Sequence, residues 1–391
     1  LEDLDFRRWI LRLTKARAAV LDRDALLDSA RYGLEEGVRA GITSYADTCS
    51  SGVVMQAMRE AGVRGIMYQE VFGPDPAQCE HAVAELRAKV AAMRERETAL
   101  VRVGVSPHAP YTVSDALFAA TGGLAARESY PLAVHVAEGV LETELVVRGA
   151  GAFADGLRAR GIDVAPRARS PIALLERLGV LDVAPLLIHC VRVDADDVRT
   201  IAAHDCGVAH CPASNARLGH GIAPLRELLA ANVRVGLGSD SVASNDRMDL
   251  LEEARLASLF AGAREERAGA LSARRALELA TLGGARALGL EGEIGTIERG
   301  KAADLAGFPL DRAHRAPVHD PAAAAVFAIA GGAASFVAVA GETRVRDGRL
   351  LSDDATLHRR VQRSADLLQE WLASRSGSAT ESTRERPAGP A

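Results

Sequence analysis

The sequence is poor in lysine, in paired cysteine and in long apolar runs, and each shortage removes a class of function. Lysine occurs only as Lys15, Lys89 and Lys301. The other 44 of the 47 basic residues are arginine, a skew that reads as nucleotide bias in the coding DNA rather than as function. Against 52 acidic residues the net charge is −5, and no basic stripe with interleaved aromatics occurs, so nucleic acid is not expected as a partner. The five cysteines (Cys49, Cys79, Cys190, Cys206, Cys211) form an odd set without a Cys-x-x-Cys pair. Neither a disulfide framework nor a thiolate zinc site is therefore expected, and the thiols read as reduced and structural. No run of about 18 apolar residues is free of charges and breakers. The opening Leu1-Glu2-Asp3-Leu4-Asp5 carries early acids and no signal-peptide core, so the expectation is no membrane partner and a cytoplasmic location.

What is present is the composition of a folded globular protein: 48% hydrophobic and 25% charged residues, which argues against a largely disordered or fibrous chain. A chain of 391 residues suits a barrel of about 250 residues plus a smaller module. From Asp22 to about Asn245, short apolar runs alternate with longer stretches of helical period, the pattern of parallel βα units. Seven strands are expected: Gly41 to Ala46, Gly65 to Val71, Leu100 to Val105, Leu132 to Ala137, Leu186 to Cys190, Gly207 to His210 and Val233 to Gly238. The expected fold class is α/β, a (β/α)8 TIM-type barrel over residues 1–290 whose first strand is missing, because the chain opens with a helix-like stretch, Phe6 to Val20. A glycine- and arginine-rich insertion, Gly149 to Arg169, is expected over the barrel mouth as part of a substrate lid. Residues 291–351 read as part of a small β-sandwich, with strand-like Gly292 to Ile297 and Ala303 to Phe308 and a hairpin from Ser335 to Gly348. A terminal helix over 352–374 and a disordered tail over 375–391 complete the expectation.

Working residues in such barrels sit at the C-terminal ends of strands. The fourth barrel strand ends in Ser106-Pro107-His108-Ala109-Pro110-Tyr111, the fifth holds His135-Val136-Ala137-Glu138, the sixth ends at His189, and the eighth ends in Gly238-Ser239-Asp240-Ser241. Four strand ends thus carry a histidine or carboxylate to one mouth. Imidazoles with an aspartate suit zinc or iron(II) and leave a position for water. Taken singly, each histidine is more often structural, and Asp240 is equally a helix cap. His81, His204, His314, His319 and His358 fall in helices or loops without that register, whereas His210 and His220 flank the seventh strand end near Asn215. Cys190 and Cys211 read as small buried groups, not nucleophiles.

Taken together, these motifs resemble the amidohydrolase superfamily, in its metal-dependent aminohydrolase branch of adenosine-type, S-adenosylhomocysteine and aminodeoxyfutalosine deaminases. The carriers are SPHAPYT (Ser106 to Thr112), HVAE (His135 to Glu138), LIHC (Leu187 to Cys190), HCPASN (His210 to Asn215), GLGSDS (Gly236 to Ser241) and GTIERGKAAD (Gly295 to Asp304). The resemblance covers most of the chain. It implies one divalent metal ion, zinc or iron(II), with His135 and Asp240 as ligands and His189 beside it, counted in the metal set and as a polarising group. It makes Glu138 the proton shuttle, Asp240 also the proton acceptor, and His108 a substrate contact. Glu70, in the element Glu70-Val71-Phe72-Gly73-Pro74, and Asn215 and Arg217, in Ser214 to Gly221, are the further substrate-binding candidates. The implied reaction is attack of a metal-activated water on the amine-bearing ring carbon of an adenine nucleoside, with loss of ammonia. The pattern is most like aminodeoxyfutalosine deaminase, an activity of menaquinone synthesis. A small N-heterocyclic molecule is then the expected partner, and a homodimer is allowed.

The sequence departs from the family in one respect: its first barrel strand should carry a His-x-His pair, and none occurs here, the first histidine being His81. Leu1 to Arg17 resembles the family's segment just after that strand, and the chain begins without methionine, so loss at one boundary points to a truncated start more than to gradual decay of catalysis. The expected consequences are an incomplete metal site and an exposed barrel edge. Two alternatives remain. One is hydrolysis at another N-heterocycle, such as dechlorination or deamination of a triazine or a guanine-type ring. The other is a truncated, catalytically inactive binding protein.

Overall fold

The computed structural model describes residues 4–311 and 316–380. His314 and the last eleven residues lie outside that set. Two helices lead the chain, α1 (Phe6–Val20) and α2 (Arg23–Arg39), each started by an aspartate. Asp5 accepts from the Arg8 backbone N–H at 3.0 Å and Asp22 from that of Ala25 at 2.8 Å, satisfying donors that a helix start leaves free.

Strand and helix then alternate. The order is β1 (Ser44–Cys49), α3 (Val53–Ala61), β2 (Arg64–Val71), α4 (Cys79–Arg94), β3 (Val101–Pro107), α5 (Asp115–Glu128), β4 (Ala133–Val136), α6 (Val140–Arg148), α7 (Gly151–Arg158) and α8 (Pro171–Arg177). It continues with β5 (Leu186–His189), α9 (Ala195–Ala203), β6 (Gly207–His210), α10 (Pro212–Arg217), α11 (Leu225–Ala230), β7 (Arg234–Leu237), α12 (Val242–Asn245), α13 (Leu250–Arg264), α14 (Ala273–Glu278) and α15 (Gly284–Ala287). All seven strands pair in parallel, β1-β2-β3 in one sheet and β4-β5-β6-β7 in another, and a Val105 to Leu132 bridge joins the two. The expected α/β class holds, and each expected strand has its counterpart. The first begins later than Gly41, because Gly41 is left-handed (φ 92°) and the Ile42 N–H bonds back to the Gly37 carbonyl at 2.8 Å, so both residues finish α2. Among the described residues no ladder joins β1 to β7.

Alternation along the strands sorts the core. Val134, Val136, Leu187, Val208 and Val235 face the helices in one continuous core. Ile66, Tyr68, Ala133 and Leu186 form a smaller inner cluster closed by Ala287. A third cluster caps the ends of the strands: Phe6 and Trp9 of α1 pack with Tyr111, Leu145, Phe153 and Ala154. The segment that follows Gly149 is therefore α7 and a pinned loop packed over that end. Arg167 ties the loop down, with Nε 2.6 Å from Asp115 Oδ1 and Nη1 donating to the Pro110 carbonyl at 2.6 Å.

The last module is an antiparallel sheet of order β11-β10-β9-β8, built from β8 (Leu305–Gly307), β9 (Phe336–Val339), β10 (Glu342–Arg346) and β11 (Arg349–Leu350), with α16 (Pro321–Ala324) between β8 and β9. The hairpin expected from Ser335 is β9-β10. The strand expected at Gly292 to Ile297 is a series of turns, because no strand pairs with it among the described residues, and Ile297 stands 89% exposed. Val337, Val345 and Leu350 belong to the same core as Leu34 and Val38 of α2, so the module has no separate interior. The terminal helix α17 is Leu357–Thr380, running past the expected end at 374 into the stretch expected to be disordered; residues 381–391 of that stretch lie outside the described residues. Its first turn is docked on α2, where Arg360 grips Asp28 with Nε at 2.7 Å and Nη2 at 3.0 Å. Among the described residues no helix is long and apolar enough to cross a membrane.

Candidate active site

Four strand ends carry the chemistry to one mouth. Within β4 the inward set is Ala133 and His135, so period-two alternation alone sends the His135 ring into the strand array. Its Nδ1 lies 3.1 Å from the His108 carbonyl oxygen, and this contact fixes the ring and turns Nε2 outward. One step beyond the strand, Ala137 adopts left-handed φ 52°, which brings the next residue, Glu138, to the same mouth. Glu142, itself buried, accepts from the backbone N–H groups of both Ala137 and Glu138 at 2.8 Å and holds this bend.

His189 closes β5 with φ 80°, breaking the alternation that would send its ring outward with Leu187. Its Nδ1 is 2.9 Å from Asn215 Oδ1, and its Nε2 is 3.6 Å from Glu138 Oε1. Asp240, left-handed at φ 59°, follows β7. It accepts from Ser214 Oγ at 2.5 Å and Ser244 Oγ at 2.9 Å on Oδ2, and from the Ser241 N–H at 2.6 Å on Oδ1.

Glu138 has further partners that the strand-end pattern does not show. Tyr111 donates its hydroxyl to Oε2 at 3.1 Å, and His220 Nε2 lies 3.1 Å from Oε1. Burial alone pushes Glu138 up, but the imidazoles of His189, His220 and His135 outweigh it and hold the carboxyl down at about 2. Burial also drives His108 down to about 3, helped by His135, and lowers His135, which favours the neutral form of each ring. Neutral imidazole is the form that ligates metal.

On the rim, Glu70 at the end of β2 stands with Oε1 4.0 Å from His108 Nε2, and the Phe72 ring lies tilted against the His108 ring, centroids 4.8 Å apart. Burial, with Asp47 adding to it, pushes Glu70 up to about 7. Among the described residues, the one group of three metal-competent side chains with ligand atoms all within 4.8 Å is Glu70, His108 and His135. His135, His189 and Asp240 do not form so tight a group. In donor type they still fit a divalent ion: two imidazole nitrogens, each ring fixed through its other nitrogen, and one carboxylate. Asn215 is buried and gives its Oδ1 to His189, while its Nδ2 has no hydrogen-bond partner among the described residues; Arg217 pairs with Asp246. Tyr111 lay in plain view inside SPHAPYT; His220 carried no signal beyond its nearness to Asn215.

The model of the Amidohydrolase family matches residues 2–344, and the chain belongs to that family, as a hydrolase acting on carbon–nitrogen bonds. It is 33% identical over 358 residues to a 5-methylthioadenosine/S-adenosylhomocysteine deaminase of Moorella thermoacetica, covering 90% of this chain and 79% of the relative. It is 31% identical over 353 residues to a 5′-deoxyadenosine deaminase of Methanothermobacter thermautotrophicus, covering 89% and 78%. Among solved structures, an adenosine deaminase from Xanthomonas campestris with bound zinc superposes with TM-score 0.83 at 27% identity, covering 95% of this chain and 81% of that one. Atrazine chlorohydrolase from Arthrobacter aurescens complexed with zinc gives 0.77 at 27% identity, covering 94% and 83%.

Proposed function

We propose that this chain is a hydrolytic deaminase of an adenine nucleoside, releasing ammonia from the amine-bearing ring carbon. The observation that carries the reading is Glu138: a buried carboxylate at the strand-end mouth, kept ionised by imidazoles and within 3.6 Å of His189. An anionic, desolvated carboxylate is a base waiting for a proton. In this reading Glu138 takes one proton from the attacking water and delivers it to the ring nitrogen beside the reacting carbon, while Asp240 takes the water's second proton and passes it to the departing amine, which leaves as ammonia. His189, oriented by Asn215, polarises the oxygen that develops negative charge. His135 and Asp240, with His189 beside them, are the residues that would hold a divalent ion, zinc or iron(II). That ion supplies Lewis-acid activation of water near neutral pH, at about pKa 7.

In the same reading Glu70 and His108 contact the incoming nucleoside, and Asn215 and Arg217 are the further substrate-binding candidates. The relatives are named for adenosines altered at the 5′ position, which supports an adenosine carrying a 5′ substituent. The aminodeoxyfutalosine type is the specific form proposed here. The triazine hydrolases among the structural neighbours support a second reading, hydrolysis of a substituted triazine. A panel of adenosine, 5′-deoxyadenosine, 5′-methylthioadenosine, S-adenosylhomocysteine, aminodeoxyfutalosine, guanine and a chlorinated triazine separates them. The expected result is ammonia from adenine nucleosides and neither chloride nor ammonia from the triazine. Chloride release without nucleoside turnover overturns the reading.

A further inference from the structure

Glu138 is held by more than its own strand end, and its supports come from three distant parts of the chain. Tyr111, after β3, donates to Oε2 at 3.1 Å; His220, after α10, sets Nε2 3.1 Å from Oε1, somewhat off the line of a full hydrogen bond. Each carboxylate oxygen thus has its own partner, and both partners are buried. The His220 ring is itself wedged. Phe6 of α1 meets it edge-on at 4.6 Å and meets Tyr111 edge-on at 6.0 Å, while Phe153 of α7 stacks flat on Tyr111 at 4.4 Å. On its other side His220 lies against Gly139, where any Cβ would come within 2.7 Å of Nδ1. Gly139 has an ordinary extended backbone (φ −147°), so what it contributes is the missing side chain and not a special conformation. A glycine directly after Glu138 therefore admits the imidazole that touches Glu138.

We infer that His220 and Tyr111 are positioning residues that clamp the two oxygens of Glu138 in the rotamer needed to deliver a proton, and that Phe6 and Gly139 seat the His220 half of this clamp. The inference rests on the proposed role of Glu138 as proton carrier. A carboxylate that must release its proton needs partners that orient it without neutralising it permanently; a phenol and an imidazole do this, whereas a guanidinium would pin the charge. The off-line His220 contact is the half left to tighten when substrate fills the mouth. The clamp also ties α1, the first described helix, to the chemistry.

The test compares H220F, H220Q, Y111F and G139A in the full chain. With the best nucleoside substrate, H220F is expected to lower kcat by roughly tenfold to a hundredfold with KM nearly unchanged, the cost of a misplaced reacting group. H220Q, which keeps a donor, recovers most of that loss, and G139A resembles a weaker H220F. H220F combined with Y111F loses less than the product of the two, because both act through one carboxylate. Crystal structures of H220F and Y111F supply the readout independent of turnover: the Glu138 carboxylate should leave its parent position or occupy two. A parent-like carboxylate in both variants overturns the clamp whether or not the protein deaminates nucleosides. A rise in KM with unchanged kcat also overturns it, by making His220 a substrate contact. Absence of nucleoside turnover in the parent, with the carboxylate displaced in the variants, counts against the proposed function and leaves the clamp standing.

Discussion

Glu138, just past the C-terminal end of β4, and Asp304, against the N-terminal end of β2, are both buried carboxylates, and they differ in what surrounds them. At the N-terminal end, Arg64 grips Asp304 with Nε at 2.9 Å and Nη2 at 3.2 Å, and shares Glu293 with Arg102 through contacts of 3.0 and 2.7 Å. Asp304 also accepts from the Ala340 N–H at 2.8 Å, so this cluster fastens the small sheet to β2. A guanidinium never gives up its charge, and such a pairing is permanent. At the C-terminal end Glu138 is met by a phenol and imidazoles, and Asp240 by two serine hydroxyls and one backbone N–H. Those partners orient a carboxylate and leave it able to exchange protons. On the proposed function, the difference teaches that the partner of a buried acid, more than its burial, separates an acid that fastens from an acid that works.

The contrast is broken most severely by removing the two acids' defining features. Glu138→Gln keeps the shape of the mouth and is expected to lower turnover by about 10² to 10⁴-fold, with the denaturation midpoint close to the parent's. Arg64→Ala should do the reverse, costing about 3–5 kcal/mol of stability in a denaturant titration by stranding Asp304, while turnover per folded molecule stays near the parent value. Asn215→Ala removes the acceptor that fixes His189. It is expected to lower metal affinity or activity by about 10–100-fold, read by elemental analysis beside turnover.

The smallest effect is one of pH. Glu253 accepts from the Ala213 N–H at 3.0 Å and from Asn245 at 2.7 Å, and burial pushes it up to about 8 from an ordinary 4.5. Below 4.5 both folded and unfolded chains carry its proton. Between 4.5 and 8 the unfolded chain has lost the proton and the folded one retains it, so this contribution to stability declines as pH rises through that window. Glu253→Gln should flatten that decline in melting temperatures taken across the window, and an equally steep decline in the variant would show that another group is responsible.

Much of the mouth was legible in the sequence because its residues sit in short motifs at strand ends. His135 follows from alternation, and Glu138, His189 and Asp240 each lie at or just past a strand. The left-handed backbone at Ala137, His189 and Asp240 was not legible, since none of these residues is glycine and only the packed loops impose it. His220 was not legible either: a loop far along the chain brings it to Glu138, and no period in sequence encodes that meeting. The turn series at 292–297 carries the same small and branched residues as a strand, and only the lack of a pairing partner among the described residues tells them apart.

The central claim is that Glu138 works and Arg64 fastens, and ammonia release from an adenine nucleoside, followed in the parent, Glu138→Gln and Arg64→Ala at equal folded fraction, tests it most directly. The account predicts steady release by the parent and by Arg64→Ala, and a loss of at least about a hundredfold in Glu138→Gln. Parent-like release by Glu138→Gln, or no release by the parent with any adenine nucleoside, would contradict it.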